Sequence, residues 1–157
     1  MANNDLSTNP ARLFDGPRYT KTLPEVLTID EVFSLIDAPD TNTKFGFRDR
    51  TMLEIMYGSG LRVSETSGLG LFDIDFHGGF LKITGKGDKQ RIVPLHMEAM
   101  KLLQEYLDNI RPRFSPKSDN VFLNKFGRPI SRQGIWKIIK YYAKKSRDKK
   151  KIYLPTH

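Results

Sequence analysis

The sequence predicts an α+β domain that is mainly helical and carries a small three-stranded antiparallel sheet. Apolar residues recur at a spacing of three and four in several separate stretches, which is typical of amphipathic helices. Between residues 74 and 94 the apolar period changes to two, and glycine-rich turns separate the short runs, which indicates a meander of strands. The chain has 157 residues, of which 38% are hydrophobic, and can therefore build one domain around a real core.

Three helical segments are predicted before the sheet. The first begins at a capping box formed by Thr28 and Glu31, and Pro39 closes it. The second places methionine and isoleucine toward the core, ends at two glycines, and is followed by a short turn or helix. The second helix is expected over residues 45–57, with Gly58 and Gly60 at its end, and the short turn or helix over residues 62–67.

The three strands are expected around residues 74–76, 80–83 and 92–93. Turns at Gly78–Gly79 and Gly85–Asp88 would join them. A helix from about Met97 to Ile110 and a short extended segment over residues 121–123 follow the sheet.

The last clear helix is predicted over about residues 132–147, with Ser131 as its N-cap. Its apolar face consists of Ile135, Ile138, Ile139 and Tyr142, and Trp136 is expected in the core. The opposite side of this helix carries a polar and basic stripe.

Positive charge is concentrated in the last third of the chain. Residues 1–100 contain 11 Lys and Arg against 14 Asp and Glu, whereas residues 101–157 contain 15 against 4. Residues 125–151 alone hold 11 basic residues against one acid. Such a field predicts a polyanionic partner, with nucleic acid first and an anionic membrane surface second, although it also fits a merely solvated basic surface.

Several functional classes are excluded. Cysteine is absent, which rules out disulfides, thiolate metal ligands and a cysteine nucleophile. The three histidines are scattered without metal-ligand spacing, and His77 is expected to be a solvated turn residue. The glycine motifs of P-loop and dinucleotide-binding proteins fail on spacing, and no apolar run approaches the ~18 residues of a membrane span.

Two short motifs remain as candidates for phosphate chemistry. Arg62 follows a glycine-closed helix, and Glu65 lies one helical turn later, where it could orient the planar guanidinium toward a pair of phosphate oxygens. Lys86 occupies the tip of a glycine-flanked hairpin, from which it can reach a bound ligand. Either cation alone is more often an ordinary surface charge.

Together these motifs resemble the catalytic domain of the tyrosine recombinases, or phage integrase family, and most of all its Xer-type branch. The matching stretches occur in family order over nearly the whole chain, and those around Arg62 and Lys86 are the most specific. They are the linker from Asn9-Pro10-Ala11 to Leu23-Pro24, Leu27-Thr28-x-x-Glu31, Gly58-x-Gly60-Leu61-Arg62-x-Ser64-Glu65, Gly85-Lys86-Gly87-x-Lys89-x-Arg91-x-Val93-Pro94-Leu95, and Ile130-Ser131-Arg132-Gln133-Gly134.

The resemblance implies site-specific DNA cleavage and rejoining through a 3′-phosphotyrosyl intermediate, with no cofactor and no metal. Arg62 matches the first catalytic arginine, which neutralises charge on the transition state, and Glu65 matches the acid that supports it. Lys86 matches the hairpin lysine, the expected general acid for the leaving 5′-oxygen. His157 matches the histidine that opens the family's His-x-x-Arg motif.

The resemblance also implies a double-stranded DNA partner and assembly of the complete recombinase as a tetramer on two DNA sites. The helix that begins at Ser131 would face the DNA major groove. We expect no membrane partner and a cytoplasmic location. The residues expected to contact DNA are Lys89, Arg91, Arg132, Gln133, Lys137, Lys140 and Lys144.

The chain departs from the family pattern at its end. The second arginine, a later His or Trp and the tyrosine nucleophile of the family would follow His157, and none of the six tyrosines matches that nucleophile. We therefore expect residues 1–24 to be a linker or tail and residues 25–157 to be a partial catalytic domain that binds DNA without cleaving it.

Two alternatives stay open from the sequence. One is a non-catalytic DNA-binding remnant or regulator derived from an integrase, which the gene sequence beyond His157 would distinguish from a truncated enzyme. The other is a protein-interaction domain whose basic face only solubilises it, for which DNA binding at ~50 mM salt would be absent.

Overall fold

The computed structural model describes the backbone of residues 27–153 and the side chains of residues 27–147. The expected linker, residues 1–24, and His157 therefore lie outside the described residues. The helices are α1 (Ile29–Asp37), α2 (Lys44–Ser59), α3 (Val63–Ser67), α4 (Met97–Glu105) and α5 (Arg132–Tyr153), and the strands are β1 (Ile74–Asp75), β2 (Phe80–Thr84) and β3 (Gln90–Pro94). A mainly helical α+β fold with one small sheet is thus confirmed.

The helix ends follow the capping chemistry of the sequence. The Thr28 hydroxyl accepts the backbone N–H of Glu31, and the Glu31 carboxylate accepts that of Thr28, which completes the predicted capping box. Gly60 adopts a left-handed conformation (φ +65°) and ends α2, as expected.

Gly58 does not end α2, which continues to Ser59, so that part of the prediction is wrong. A Cβ atom at position 58 would lie 2.9 Å from Nε2 of His96. The His96 ring in turn caps α4, because its Nδ1 accepts the backbone N–H of Ala99. Glycine is therefore needed at position 58 for close packing rather than for helix termination.

The sheet is antiparallel with strand order β1-β2-β3, as the alternating pattern predicts. Leu81 pairs with Ile74 on one side and with Val93 on the other, and Thr84 pairs with Gln90 next to the hairpin connection. Leu81 is buried, whereas Lys82 faces solvent, so one face of β2 covers the core. Strand β1 is only two residues long, and Phe76 lies outside it.

The helix predicted from Met97 to Ile110 is α-helical only as far as Glu105. It widens into a π-helical turn over Tyr106–Ile110 and then tightens into a 3₁₀ turn over Arg111–Phe114. Two side chains accompany the change. Tyr106 is buried and donates its hydroxyl to the carbonyl of Val121 at 2.8 Å, and Pro112 has no N–H with which to continue a helix.

Helix α5 packs against α1 and α3, so that it spans one side of the core. A buried polar group fixes it to α2: the Tyr142 hydroxyl donates to Oδ2 of Asp49 at 2.7 Å, and Arg48 donates to Oδ1 of Asp49 at 2.7 Å. Burial raises the pKa of Asp49 more than Arg48 and Tyr142 lower it. Among the described residues, no helix combines the length and the apolar character of a membrane span.

Candidate functional site

The groove that carries the candidate site begins at the sharp turn between α2 and α3. Gly60 reverses the chain, Leu61 is buried beneath the turn, and Arg62 becomes the N-cap residue of α3 with an exposed side chain. Within the part of the chain that the structure describes, the Arg62 guanidinium has no hydrogen-bond partner. It is therefore available to a ligand.

Glu65 is the buried anchor of the site. Its side chain is only 8% exposed, and its Oε1 accepts the backbone N–H of Arg62 at 2.9 Å. Both carboxylate oxygens also accept the guanidinium of Arg91 on β3, at 2.5 Å for Oε2 and 3.1 Å for Oε1. This bidentate pair joins the sheet to α3.

The ionisation of Glu65 is favoured by these contacts. Burial by itself would raise the pKa of the Glu65 carboxyl, but the hydrogen bonds from Arg91 and from the Arg62 backbone, with the positive charge of both arginines, outweigh it. The pKa of Glu65 therefore lies below its ordinary value, and the Glu65 hydrogen bond raises the pKa of Arg91. Both side chains are charged at neutral pH.

Lys86 occupies the connection between β2 and β3. The Gly85 N–H donates to the carbonyl of Lys89 at 2.7 Å, which closes the loop at its base. Gly87 (φ +74°) and Asp88 (φ +60°) both take left-handed conformations, which lets the short 3₁₀ turn Lys86–Asp88 fit between the strands. The Lys86 side chain is exposed at this tip.

These elements enclose an open groove of about 590 Å³. Cationic side chains surround the single buried carboxylate, and hydroxyl groups complete the wall. The groove is lined by Arg62, Ser64, Glu65, Thr84, Gly85, Lys86 and Arg91. Three cations outnumber one anion, so the groove fits a phosphate group. Within the described residues, no cluster of His, Asp and Glu could hold a metal ion.

The basic helix lies on the same side of the molecule as α3. The Ser67 hydroxyl, at the end of α3, donates to the carbonyl of Ile130, immediately before α5, at 2.7 Å. Helix α3 has five residues and hence a length of about 7.5 Å, so the first residues of α5 lie near Arg62 at its other end.

The N-cap role of Ser131 is borne out, because its hydroxyl accepts the N–H of Gly134. The polar stripe of α5 is exposed at Arg132, Gln133, Lys137, Lys140 and Lys144. The stripe also includes Arg147, whose Nε lies 3.6 Å from Oε2 of Glu31 and so links α5 to α1. Trp136 is buried in the core, as predicted.

The structure brings together Arg62, Glu65, Lys86 and Arg91, but with different partners from those the sequence indicates. Glu65 holds the backbone of Arg62 and the side chain of Arg91, not the guanidinium of Arg62. Lys89 is exposed in the same hairpin but does not line the groove. Ser64 and Thr84 do line it. Ser64 belongs to the motif around Arg62 and Thr84 precedes Gly85, but neither is among the site residues that the sequence indicates.

The chain is similar to known proteins over most of its length. Residues 25–157 match the phage integrase family. The tyrosine recombinase XerD of Staphylococcus aureus (strain Mu50 / ATCC 700699) is 46% identical over 146 residues, which are 92% of this chain and 50% of that protein. The chain thus spans about half the length of the curated relatives it matches.

Solved structures share the fold, among them those of two Xer recombinases. The crystal structure of XerA recombinase superposes with a TM-score of 0.66 at 26% identity and covers 77% of this chain and 42% of that one. XerH site-specific recombinase, bound to its difH substrate in a pre-cleavage complex, gives a TM-score of 0.65 at 27% identity, over 77% of this chain and 36% of that one. The chain therefore belongs to the phage integrase family, the tyrosine recombinases, and is Xer-like.

Proposed function

We propose that this chain binds duplex DNA and supplies part of the phosphate-activating site of a site-specific recombinase that acts through a 3′-phosphotyrosyl intermediate. The observation that carries the proposal is the groove in which Arg62 and Lys86 face the same space beside a buried Glu65–Arg91 pair. Family membership supports recombination as the reaction, and XerH was crystallised with a DNA substrate.

In the proposed mechanism, each groove residue has a separate task. The Arg62 guanidinium donates to non-bridging oxygens of the scissile phosphate and stabilises the charge that builds up in the transition state. Lys86 reaches the leaving 5′-oxygen from the hairpin tip and protonates it. Glu65 accepts hydrogen bonds from the backbone of Arg62 and from the side chain of Arg91 on β3. It therefore fixes Arg62 and Arg91 relative to each other.

The exposed stripe of α5 is the proposed DNA-reading surface. Arg132 and Gln133, in the first turn, would reach base edges or phosphates, and the lysines farther along would contact the backbone. The link between Ser67 and Ile130 supports a single surface that includes this helix and the groove. His157 and the remaining members of the site are proposed only on the family pattern.

We further propose that the 157 residues alone do not cleave DNA. Among the described residues no tyrosine lines the groove. Burial raises the pKa of the Tyr106 and Tyr142 hydroxyls, and both are engaged in the core by hydrogen bonds, so neither is suited to attack a phosphate. In the complete recombinase we propose a tetramer on two DNA sites. We propose a cytoplasmic location because the proposed partner is DNA.

The test is a covalent-adduct assay with nicked suicide duplexes, carrying the difH sequence or random sequence. We expect the chain to bind the duplexes without forming an adduct that survives denaturing electrophoresis. XerH on difH DNA serves as the positive control. An adduct formed by this chain would contradict the proposal, and its attachment residue would identify a nucleophile among the six tyrosines.

A further inference from the structure

The segment that leads into α5 ends in a tight turn, residues 124–128, hereafter the 124–128 turn. Asn124 fixes it from inside: its Oδ1 accepts the backbone N–H groups of Phe126 at 2.9 Å and of Arg128 at 3.1 Å. The Asn124 N–H also donates to the Arg128 carbonyl at 2.7 Å. The side chains at the tip are therefore displayed on a fixed backbone.

The rest of the domain fixes the same turn from outside. The Gly127 carbonyl accepts the N–H of Lys117 at 2.9 Å. Gly127 is buried and left-handed (φ +77°), and a Cβ atom there would lie 2.3 Å from the carbonyl oxygen of Ser115. The close approach of these two backbones holds the turn against the body of the protein.

The tip carries an exposed aromatic ring with one exposed cation before it and one after it in the chain. Phe126 is 62% exposed, Lys125 and Arg128 are exposed on either side of it, and Nζ of Lys125 lies 5.1 Å from the centre of the Phe126 ring. A rigid turn with this composition is suited to a partner that offers negative charge and an apolar face together. The sugar–phosphate backbone of DNA offers both.

The 124–128 turn is close to the start of α5 along the chain. Phe126 precedes Ser131, the N-cap of α5, by five residues, so their Cα atoms are at most about 18 Å apart. The major groove is about 12 Å wide. If the first turn of α5 enters that groove, the DNA strand that borders it is within reach of the 124–128 turn.

We infer that the 124–128 turn is a second DNA contact, in which Lys125 and Arg128 bind phosphates and Phe126 packs against the deoxyribose between them. The inference rests on the proposed DNA-binding function. The turn would add an apolar contact to the basic surface of α5, which binds DNA mainly through charge. It would also extend the DNA-binding surface beyond α5.

The test is a fluorescence-anisotropy titration of the full chain with a labelled duplex, repeated at several salt concentrations. We expect Phe126→Ala to weaken binding roughly three- to tenfold without changing the slope of log K against log salt, because the lost contact is apolar. We expect the double variant Lys125→Gln/Arg128→Gln to reduce that slope by about two, which corresponds to two phosphates.

Phe72→Ala is the matched control. Phe72 is another exposed phenylalanine, at 87%, but its neighbour on the chain is Asp73 rather than a cation. Its substitution should leave the affinity unchanged, and the melting temperatures of all variants should match that of the parent chain.

The outcomes separate the two proposals. If the unmodified chain does not bind DNA, the proposed function fails. The proposed function stands if the unmodified chain binds DNA and lysine variants of α5 weaken that binding. The inference about the turn is wrong if, in addition, Phe126→Ala behaves like Phe72→Ala and the variant Lys125→Gln/Arg128→Gln keeps the full salt slope.

Discussion

At the residue scale, one buried side chain holds the proposed DNA-reading helix in place. Tyr142 lies on the apolar face of α5 and donates its hydroxyl to Asp49, which in turn binds Arg48. Arg48 also donates to the Leu123 carbonyl at 2.9 Å. The group therefore joins α2 and α5 to the segment that leads to the 124–128 turn.

We expect Tyr142→Phe to lower the free energy of unfolding by about 2 kcal/mol, because a buried carboxylate loses one hydrogen bond while the shape of the core is kept. Urea denaturation measures this change. Tyr141→Phe is the control, since Tyr141 is exposed and its substitution should change stability by less than about 0.5 kcal/mol. Equal effects of the two substitutions would show that the buried group contributes nothing to stability.

At the element scale, the Lys86 hairpin is fastened to α3 by one pair of side chains, Glu65 and Arg91. The sequence predicts the hairpin and the short helix separately, because both follow from local glycine and capping patterns. It does not predict the pair, because Glu65 and Arg91 are 26 residues apart and their contact depends on how the sheet packs. Local spacing instead favoured Arg62 as the partner of Glu65.

We expect Glu65→Gln to increase amide hydrogen exchange in the hairpin around Gly85, because the negative charge of the pair is lost and Arg91 is released. The pKa of Glu65 is lowered in the folded protein. In the parent chain the Glu65–Arg91 pair should therefore persist below pH 4.5, and it should be lost as the pH falls through the lowered pKa of Glu65.

Asp88→Asn is the control for this measurement. It also neutralises a carboxylate of the hairpin, and asparagine tolerates the left-handed conformation at position 88. Unchanged exchange in Glu65→Gln, or an equal increase in Asp88→Asn, would contradict the fastening role of Glu65.

At the scale of the whole molecule, the sequence predicts the order of the elements and the exposed face of α5. It does not predict the irregular path between α4 and α5. There, Arg111 donates to the carbonyls of Ser118 and Asn120, and Tyr106 to that of Val121. Such contacts of side chains with distant backbone groups leave no periodic pattern in the sequence. The 124–128 turn lies on this path.

The central claim is that the exposed side of α5 binds duplex DNA, and the salt dependence of binding tests it most directly. We expect the affinity of the full chain for a labelled duplex to fall steeply between about 50 and 200 mM salt. The triple variant Lys137→Gln/Lys140→Gln/Lys144→Gln should lose up to about 2.7 units of the slope of log K against log salt, whereas Lys101→Gln, on α4, should lose none. Absence of binding at the lower salt, or the same slope in the triple variant as in the parent chain, would contradict the account.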